Sequence, residues 1–574
     1  MNAISGWQHG LFGAFISEPP DSTYNDPFTG EEVRSGPIVD IRTESVVSRD
    51  IIGSFREMVM FIQDQHPTVR VTGSSGSALN LRAEPLVLRG DDPSKIFSSW
   101  VHGDPATPVF EAFVGDPIVV RTLVSATNDT HTWHIDGHWF RVEPYSSTSP
   151  PTSTIHLGIS ERYDLMIPQA GGPQLMSGDY LYSNGRSSRL LEGSWGILRV
   201  HDGGAKTALK RLPGHEAVPT SASNVCPSDA PTRSFEVAAI DASLPMLGGT
   251  RGKVFTLRRD VEGWRSGEKK PEPLVLHANV GDCIQVTLGN ETASGRVSFH
   301  ADMLAFDPKK SYGIDVGFNP SQTVAPGESR VFTFYADPAV GETAALVRDG
   351  GDVVTNPALG LYGAIIVGPE GSTYTDPLTG EDASEVSSWA VDVQPPDGDA
   401  YRDFTLIMQD GDLTIGTNVM PYRKDVEGVL GLNYWTEPLS ALDSVVNMGG
   451  SGVESSLHLP AFNTPIMRAF VGDPIRVNAL VPYSQQSQVF SIEGHRWPFE
   501  PGRLGSDMLD SVKIGGLEAL TLRITEGAGG PGAFPGDYIY GNHRGPYREA
   551  GMWGIFRVYG MFDAGAPILP IPRD

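Results

Sequence analysis

The sequence predicts an all-β fold built from tandem β-sandwiches, and three observations carry that expectation. The 574 residues include 66 Gly and 45 Pro, a turn-rich composition that suits many short strands better than long helices. Runs such as Ile475-Arg-Val-Asn-Ala-Leu480 and Val331-Phe-Thr-Phe-Tyr335 cluster or alternate β-formers between Gly, Pro and Asp turns, the pattern of strands in a sandwich. Most informative is a repeat. Ser22-Thr-Tyr24-Asn-Asp26-Pro27 returns as Ser372-Thr-Tyr374-Thr-Asp376-Pro377, and Phe113-Val-Gly-Asp-Pro-Ile118 as Phe470-Val-Gly-Asp-Pro-Ile475. Gly178-Asp-Tyr-Leu-Tyr182 and Trp195-Gly-Ile-Leu-Arg-Val200 likewise return as Gly536-Asp-Tyr-Ile-Tyr540 and Trp553-Gly-Ile-Phe-Arg-Val558. A spacing this steady marks a duplicated structural unit.

In chain order, residues 1–54 form an N-terminal strand and linker. Their Gly10-Leu-Phe-Gly13-Ala-Phe-Ile matches Gly360-Leu-Tyr-Gly363-Ala-Ile-Ile, the last strand of a later unit. Residues 55–205 are the first unit, A, and 206–234 a Pro- and Ser-rich linker. Residues 235–369 are a related unit, B, in which Val280-Gly-Asp-Cys-Ile-Gln-Val286 echoes the Val-Gly-Asp opening. A linker at 370–402 leads to the second copy, A′, at 403–560, and 561–574 are a tail. A strand at 10–17 without its own sheet is an unpaired apolar edge. Its expected partner is another polypeptide supplying the rest of an upstream unit, or a second copy in a homo-oligomer.

A net charge of −26 disfavours nucleic acid and anionic membrane surfaces as partners, since both would be repelled. It also keeps a large protein soluble and concentrates cations. No run of 18 apolar residues is present, so no transmembrane segment is expected. The first ten residues lack the basic start and apolar stretch of a signal peptide. Cys226 and Cys283 are the only cysteines and allow either one disulfide or two free thiols. Asn128-Asp-Thr130 and Asn290-Glu-Thr292 fit the glycosylation triplet, a common pattern. The Gly/Ser runs at 73–77 and 449–455 read as loops.

Chemistry concentrates in His131-Thr-Trp-His134-Ile-Asp136-Gly-His138, which returns as Gln488-Val-Phe-Ser491-Ile-Glu493-Gly-His495 with most histidines gone. Three histidines in eight residues suit a metal site, but more often such a cluster simply hydrogen-bonds in a domain core. Together with Ser298-Phe-His300-Ala-Asp302-Met and Trp7-Gln-His-Gly-Leu-Phe-Gly-Ala14, and with Gly536-Asp-Tyr-Ile-Tyr540 leading to Gly551-Met-Trp-Gly554, the motif resembles the multicopper oxidases. That family is built from cupredoxin domains, and the chain looks most like its large bacterial, manganese-oxidase-like branch. The resemblance spans nearly the whole chain and implies tandem cupredoxin-like Greek-key β-sandwiches in an extracytoplasmic protein.

It also implies where copper would sit. The family needs a thiolate-bound copper to take up electrons and a three-copper cluster held by histidine pairs; imidazole and thiolate are the ligands copper selects. In unit A, His131 falls on the thiolate-copper histidine and His134 on the first cluster histidine, with Asp136 where the second should be. Asn184 stands at the cysteine, Arg189 at the next histidine and Ser194 at the axial methionine. In A′, Gln488, Ser491 and Glu493 take the first three places. Asn542 replaces the cysteine, with His543 beside it, Tyr547 at the second histidine and Met552 at the axial position. Unit B keeps His300, has Asp302 as its partner, and places Leu346-Val-Arg348-Asp349-Gly350 near a missing His-x-His. His131, His134, Asp136, His300, His543 and Met552 are therefore the relic metal ligands, and copper is expected to be depleted or absent. His138 and His495 match a family position that binds no copper, and Trp195 and Trp553 read as core aromatics.

Three functions follow. The first is a catalytically degenerate, structural or accessory subunit of a larger exported assembly, and so not itself an enzyme. The second is a subunit of an active copper-dependent oxidase of metal ions or phenols, its centres completed by a partner chain. The third is a binding module for a divalent cation such as Mn²⁺, Fe²⁺ or Cu²⁺.

Overall fold

A computed structural model describes residues 6–7, 9–64, 77–127, 130–216, 219–411, 430–439, 462–561 and 563–572. Asn128 and most of the two Gly/Ser runs lie outside the described residues. The chain is all-β, with only short helices. Its contacts define two compact units: residues 1–230 with 302–323 and 332–340, and residues 231–301 with 324–331 and 341–574.

In the first compact unit two sheets stack as a sandwich. One runs in the order Thr23–Asn25, Ile38–Arg42, Phe55–Asp64, Ile118–Ala126 and Arg162–Ile167. The other runs Thr154–Leu157, His131–Ile135, Gly178–Asn184, Trp195–His201 and Val109–Phe113. Phe55–Asp64 pairs parallel with Ile118–Ala126, and Trp195–His201 parallel with Val109–Phe113. Parallel neighbours cannot be joined by a hairpin, so the chain crosses between sheets in Greek-key fashion. Nine of the ten residues of Phe55–Asp64 are buried, because both faces of the strand are covered, and its middle, residues 58–62, accordingly reads as an apolar run.

The second compact unit repeats this plan. Thr373–Thr375, Ala390–Gln394, Tyr401–Asp410, Ile475–Ser484 and Glu518–Ile524 form one sheet, and Ile466–Phe470, Trp553–Tyr559, Gly536–Asn542, Gln488–Ile492 and Ser511–Ile514 the other. Strand for strand the order matches the first copy, as the duplicated sequence requires. The same compact unit holds most of B. There Tyr362–Gly368 is a central strand, parallel to Leu274–Asn279 and antiparallel to Thr343–Arg348. Tyr362, Ile407, Tyr434 and Leu480 share one buried apolar cluster.

The recurring Val-Gly-Asp has a physical reason. Asp116 accepts the backbone N–H of Phe113 at 2.8 Å and the Nε–H of buried Arg56 at 2.6 Å. Asp473 does the same for Phe470 and Arg402, at 2.8 and 2.7 Å, and Asp282 for Asn279 and Arg233, at 2.8 and 2.5 Å. A carboxylate closing a tight turn and neutralised by an arginine on the neighbouring strand is a paired buried charge. Its loss would leave a turn N–H unbonded and take one carboxylate from the arginine, which explains why the Asp recurs in all three units.

Other expectations resolve here. Both cysteines are disulfide-bonded and neither is a free thiol. Asn290 is fully buried, its amide donating to the Gly295 and Val324 carbonyls; a glycan cannot be built on it in this fold, which corrects the triplet reading at 290. Trp195 and Trp553 are wholly buried. Among the described residues no helix is long and apolar enough to cross a membrane. Residues 10–17 belong to no sheet, and Leu11 and Phe15 are exposed.

Candidate functional site

The residues that the resemblance assigns to a thiolate copper in the first copy come from four strand or helix ends. Asp64 is the last residue of its strand, His131 the first of another and Asn184 the last of a third, while Arg189 lies in the short helix Ser187–Leu191 that follows. The Asn184 amide is 2.6 Å from His131 Nδ1. Thr127 Oγ1 is 2.9 Å and Asp64 Oδ2 is 3.3 Å from His131 Nε2. Thr127 also donates to Asp64 at 2.5 Å, and the Arg189 guanidinium is 3.4 Å from the same carboxylate. Burial alone would raise the Asp64 pKa, but the His131 interaction, with Arg189 and Thr127, holds it well below the usual carboxylate range. Ser194, at the axial place, is buried, and its hydroxyl has no hydrogen-bond partner among the described residues.

This donor set does not fit copper. There is no sulfur, both nitrogens of His131 are engaged, and a guanidinium sits where a second imidazole is needed. An amide is a neutral, weak donor and carries no redox chemistry.

The second copy is rebuilt on the same plan with different residues. Asp410, last residue of Tyr401–Asp410, accepts from Tyr547 at 2.8 Å, Gln488 at 3.1 Å and Ser484 at 3.2 Å. Asn542 donates to the Gln488 side-chain carbonyl. Met552 is buried in an apolar cluster with Tyr547 and Phe490, whereas His543 is exposed, its Nδ1 3.5 Å from Ser491 Oγ. The two residues expected as relic ligands in this copy thus lie one in the core and one at the surface.

Asp64 and Asp410 were not singled out by the motif reading. Their signal was present as Ile62-Gln63-Asp64 and Met408-Gln409-Asp410, a Gln-Asp pair closing the strand directly after apolar residues in both copies.

A second cluster gathers His134, Asp136 and Asp302. Among the described residues they are the group whose potential ligand atoms all lie within 4.8 Å of one another. His134 Nε2 is 2.6 Å from Asp136 Oδ1 and 3.3 Å from Asp302 Oδ1. Its Nδ1 is 2.7 Å from the hydroxyl of Thr154, which stands opposite His134 on the adjacent strand. Tyr312 donates to Asp136 Oδ2 and accepts the N–H of Leu181 at 2.8 Å. Burial would lower the His134 pKa, yet the Asp302 charge and the Asp136 and Asp302 hydrogen bonds outweigh it and carry it up to about 9. A proton on Nε2 thus occupies the point where an ion would bind. The donors, one imidazole and two carboxylates with a phenol behind, suit an oxygen-seeking divalent ion better than copper.

The remaining histidines are placed as follows. His138 bridges the Asp136 carbonyl and the Gly171 N–H, both at 2.9 Å, and His495 bridges Glu493 and Gly529 at 2.9 and 3.0 Å. Burial lowers the pKa of both, that of His138 to about 4, so each is a neutral loop tie. Gly137, between Asp136 and His138, has φ +67° and leaves 2.6 Å between a would-be Cβ and the Tyr180 ring, which only glycine tolerates. His300, buried, faces Arg348 across its strand pair.

No family model matches the chain. One curated protein, a probable nitrite reductase-hydroxylamine oxidoreductase fusion protein of Kuenenia stuttgartiensis, is 23% identical over 250 residues, 43% of this chain. The match covers 23% of that protein's length. Similar solved structures include a multicopper oxidase (19% identity, TM-score 0.35, covering 58% of this chain and 92% of that one). Copper nitrite reductase from Nitrosomonas europaea is also similar (16% identity, TM-score 0.37, covering 58% and 96%).

Proposed function

We propose that this is a cupredoxin-like protein that has exchanged copper for internal hydrogen-bond clusters and serves as a structural or accessory subunit of a larger extracytoplasmic assembly. One observation carries the reading. In both copies a buried aspartate, Asp64 or Asp410, bonds residues at positions that the resemblance assigns to copper ligands: His131 and Arg189 in one copy, Gln488 and Tyr547 in the other. Two differently built clusters at equivalent places, each internally hydrogen-bonded, support the reading that the sandwiches are maintained for their architecture. A fold hosts many functions and the site decides among them.

The experiment is metal analysis by mass spectrometry on protein isolated natively, read beside a visible spectrum. Substoichiometric copper and no blue band are expected. Stoichiometric copper with a blue band would overturn the reading and favour the copper-oxidase subunit.

A second reading, a divalent-cation site, is favoured by the His134–Asp136–Asp302 cluster. An ion there would displace the Nε2 proton and be held by that nitrogen and the two carboxylates. Calorimetric titration with Mn²⁺ would give one saturable site, abolished by Asp302→Asn; a flat titration removes it.

A further inference from the structure

The segment Gly10–Glu31 aligns without a gap on Gly360–Glu381, yet the two copies are in different states. Their turns fold identically. Asp26 accepts the N–H groups of Phe28 and Thr29, as Asp376 does those of Leu378 and Thr379, and Val33 N donates to Tyr24 O as Ala383 N does to Tyr374 O, both at 2.9 Å. The residues ahead of the turn differ in burial and pairing, although Phe12 is half-buried with its ring 5.1 Å from that of Phe61. Leu361, Tyr362, Ala364, Ile365 and Ile366 are all fully buried, in a strand flanked on both sides. Their counterparts Leu11 and Phe15 are 73% and 99% exposed, and no strand forms there.

Two details indicate what is missing. Gly363 must be glycine, because a Cβ there would lie 2.5 Å from the Leu274 carbonyl of the parallel neighbour. Gly13 has nothing within 4 Å of its would-be Cβ, so this glycine answers no steric need in the structure as it stands. Tyr374 donates its hydroxyl to Ala278 O at 2.6 Å, at the end of that same neighbour. The Tyr24 hydroxyl has no hydrogen bond among the described residues.

We propose that residues 12–16 are the central strand of a β-sandwich sheet lying outside these 574 residues, entering between a parallel and an antiparallel neighbour in the register of residues 362–366. Main-chain hydrogen bonds on both sides would supply the attraction, and the close approach at Gly13 and the Leu11 and Phe15 pockets the selectivity. A second copy of the chain is not the occupant, since the sheet of this geometry among the described residues already holds its own strand. The strand ends at Ile16, because Glu18 replaces Gly368, where a Cβ would meet the Tyr374 hydroxyl at 2.6 Å. The inference stands whether or not copper is bound.

The test is amide hydrogen exchange at residues 12–16 in natively isolated material against the chain purified alone. Exchange at least ~100-fold slower in the native isolate is expected for amides held in a central strand; equal rates overturn the proposal. Gly13→Val separates docking from folding: the chain alone should melt as wild type, while protection at 12–16 is lost. Protection that survives Gly13→Val overturns the register. A photo-crosslinking residue at position 15 should form adducts with a β-sandwich outside this sequence, and adducts only with another copy of this chain would overturn the assignment of the occupant.

Discussion

Asp64 lies 3.3 Å from His131, so the imidazole that the family resemblance assigns to copper is met instead by a carboxylate. The equivalent pair in the other copy, Asp410 and Gln488, is joined at 3.1 Å. The two clusters differ in charge. Asp64 faces a guanidinium and an imidazole, and Asp410 a phenol and an amide.

That difference predicts unequal costs for the same substitution. Asp64→Asn removes the buried counter-charge of Arg189, which keeps Glu192 at 2.7 Å as its other partner; a loss of about 3 kcal/mol is expected. Asp410→Asn weakens hydrogen bonds to neutral donors and should cost about 1 kcal/mol. Urea unfolding midpoints of the two variants decide this, and equal shifts would contradict the charge argument.

The second copy should also be convertible. A thiolate alone, from Asn542→Cys, would sit beside Asp410 without imidazoles and should give no blue absorption on adding Cu²⁺. Gln488→His with Asn542→Cys, Tyr547→His and Asp410→Ala would set two imidazoles and a thiolate near the buried Met552, the donor set of a blue-copper centre. One tightly held copper with a blue band is the expected result, and a colourless variant would mean that the frame no longer has copper geometry.

The buried arginine clamps predict a third outcome. Arg56 pairs with Asp40 and Asp116 at 2.8 and 2.6 Å and donates to the Lys210 carbonyl at 2.7 Å. Arg56→Met would bury two carboxylates without a cation, at a cost of about 4 kcal/mol. Adding Asp40→Asn and Asp116→Asn should recover part of that loss, measurable as a partial return of the thermal midpoint.

The duplicated plan and the Val-Gly-Asp turns were legible because each is written in a recurring local motif: the Asp closes a turn on a residue three positions back. The site was legible only by its ligand positions. Asp64 reaches His131 from the end of a distant strand, and the cluster at His134 takes Asp302 and Tyr312 from segments more than a hundred residues on. No spacing rule announces such pairings. His543 and Met552 show the converse, two residues suggested together by motif but divided between surface and core.

The last prediction concerns pH. Burial and the Glu57 hydrogen bond raise the Glu18 pKa from 4.5 to about 8, against the pull of Arg121, which also holds Glu57 at 3.1 Å and Asp164 at 2.7 Å. The folded chain therefore keeps a proton that the unfolded chain has already released. For a carboxyl raised on folding, the penalty is absent below the unfolded value and complete above the folded one, so stability falls as pH rises between 4.5 and about 8. Asp40 and Asp392, raised to about 6 and about 7 by burial, contribute slopes of the same sign, so the informative quantity is a difference. Glu18→Gln, which keeps the shape and cannot ionise, should flatten the fall of the thermal midpoint across that window. Parallel profiles for wild type and variant would show that Glu18 is ionised in the folded chain and that Arg121 outweighs its burial.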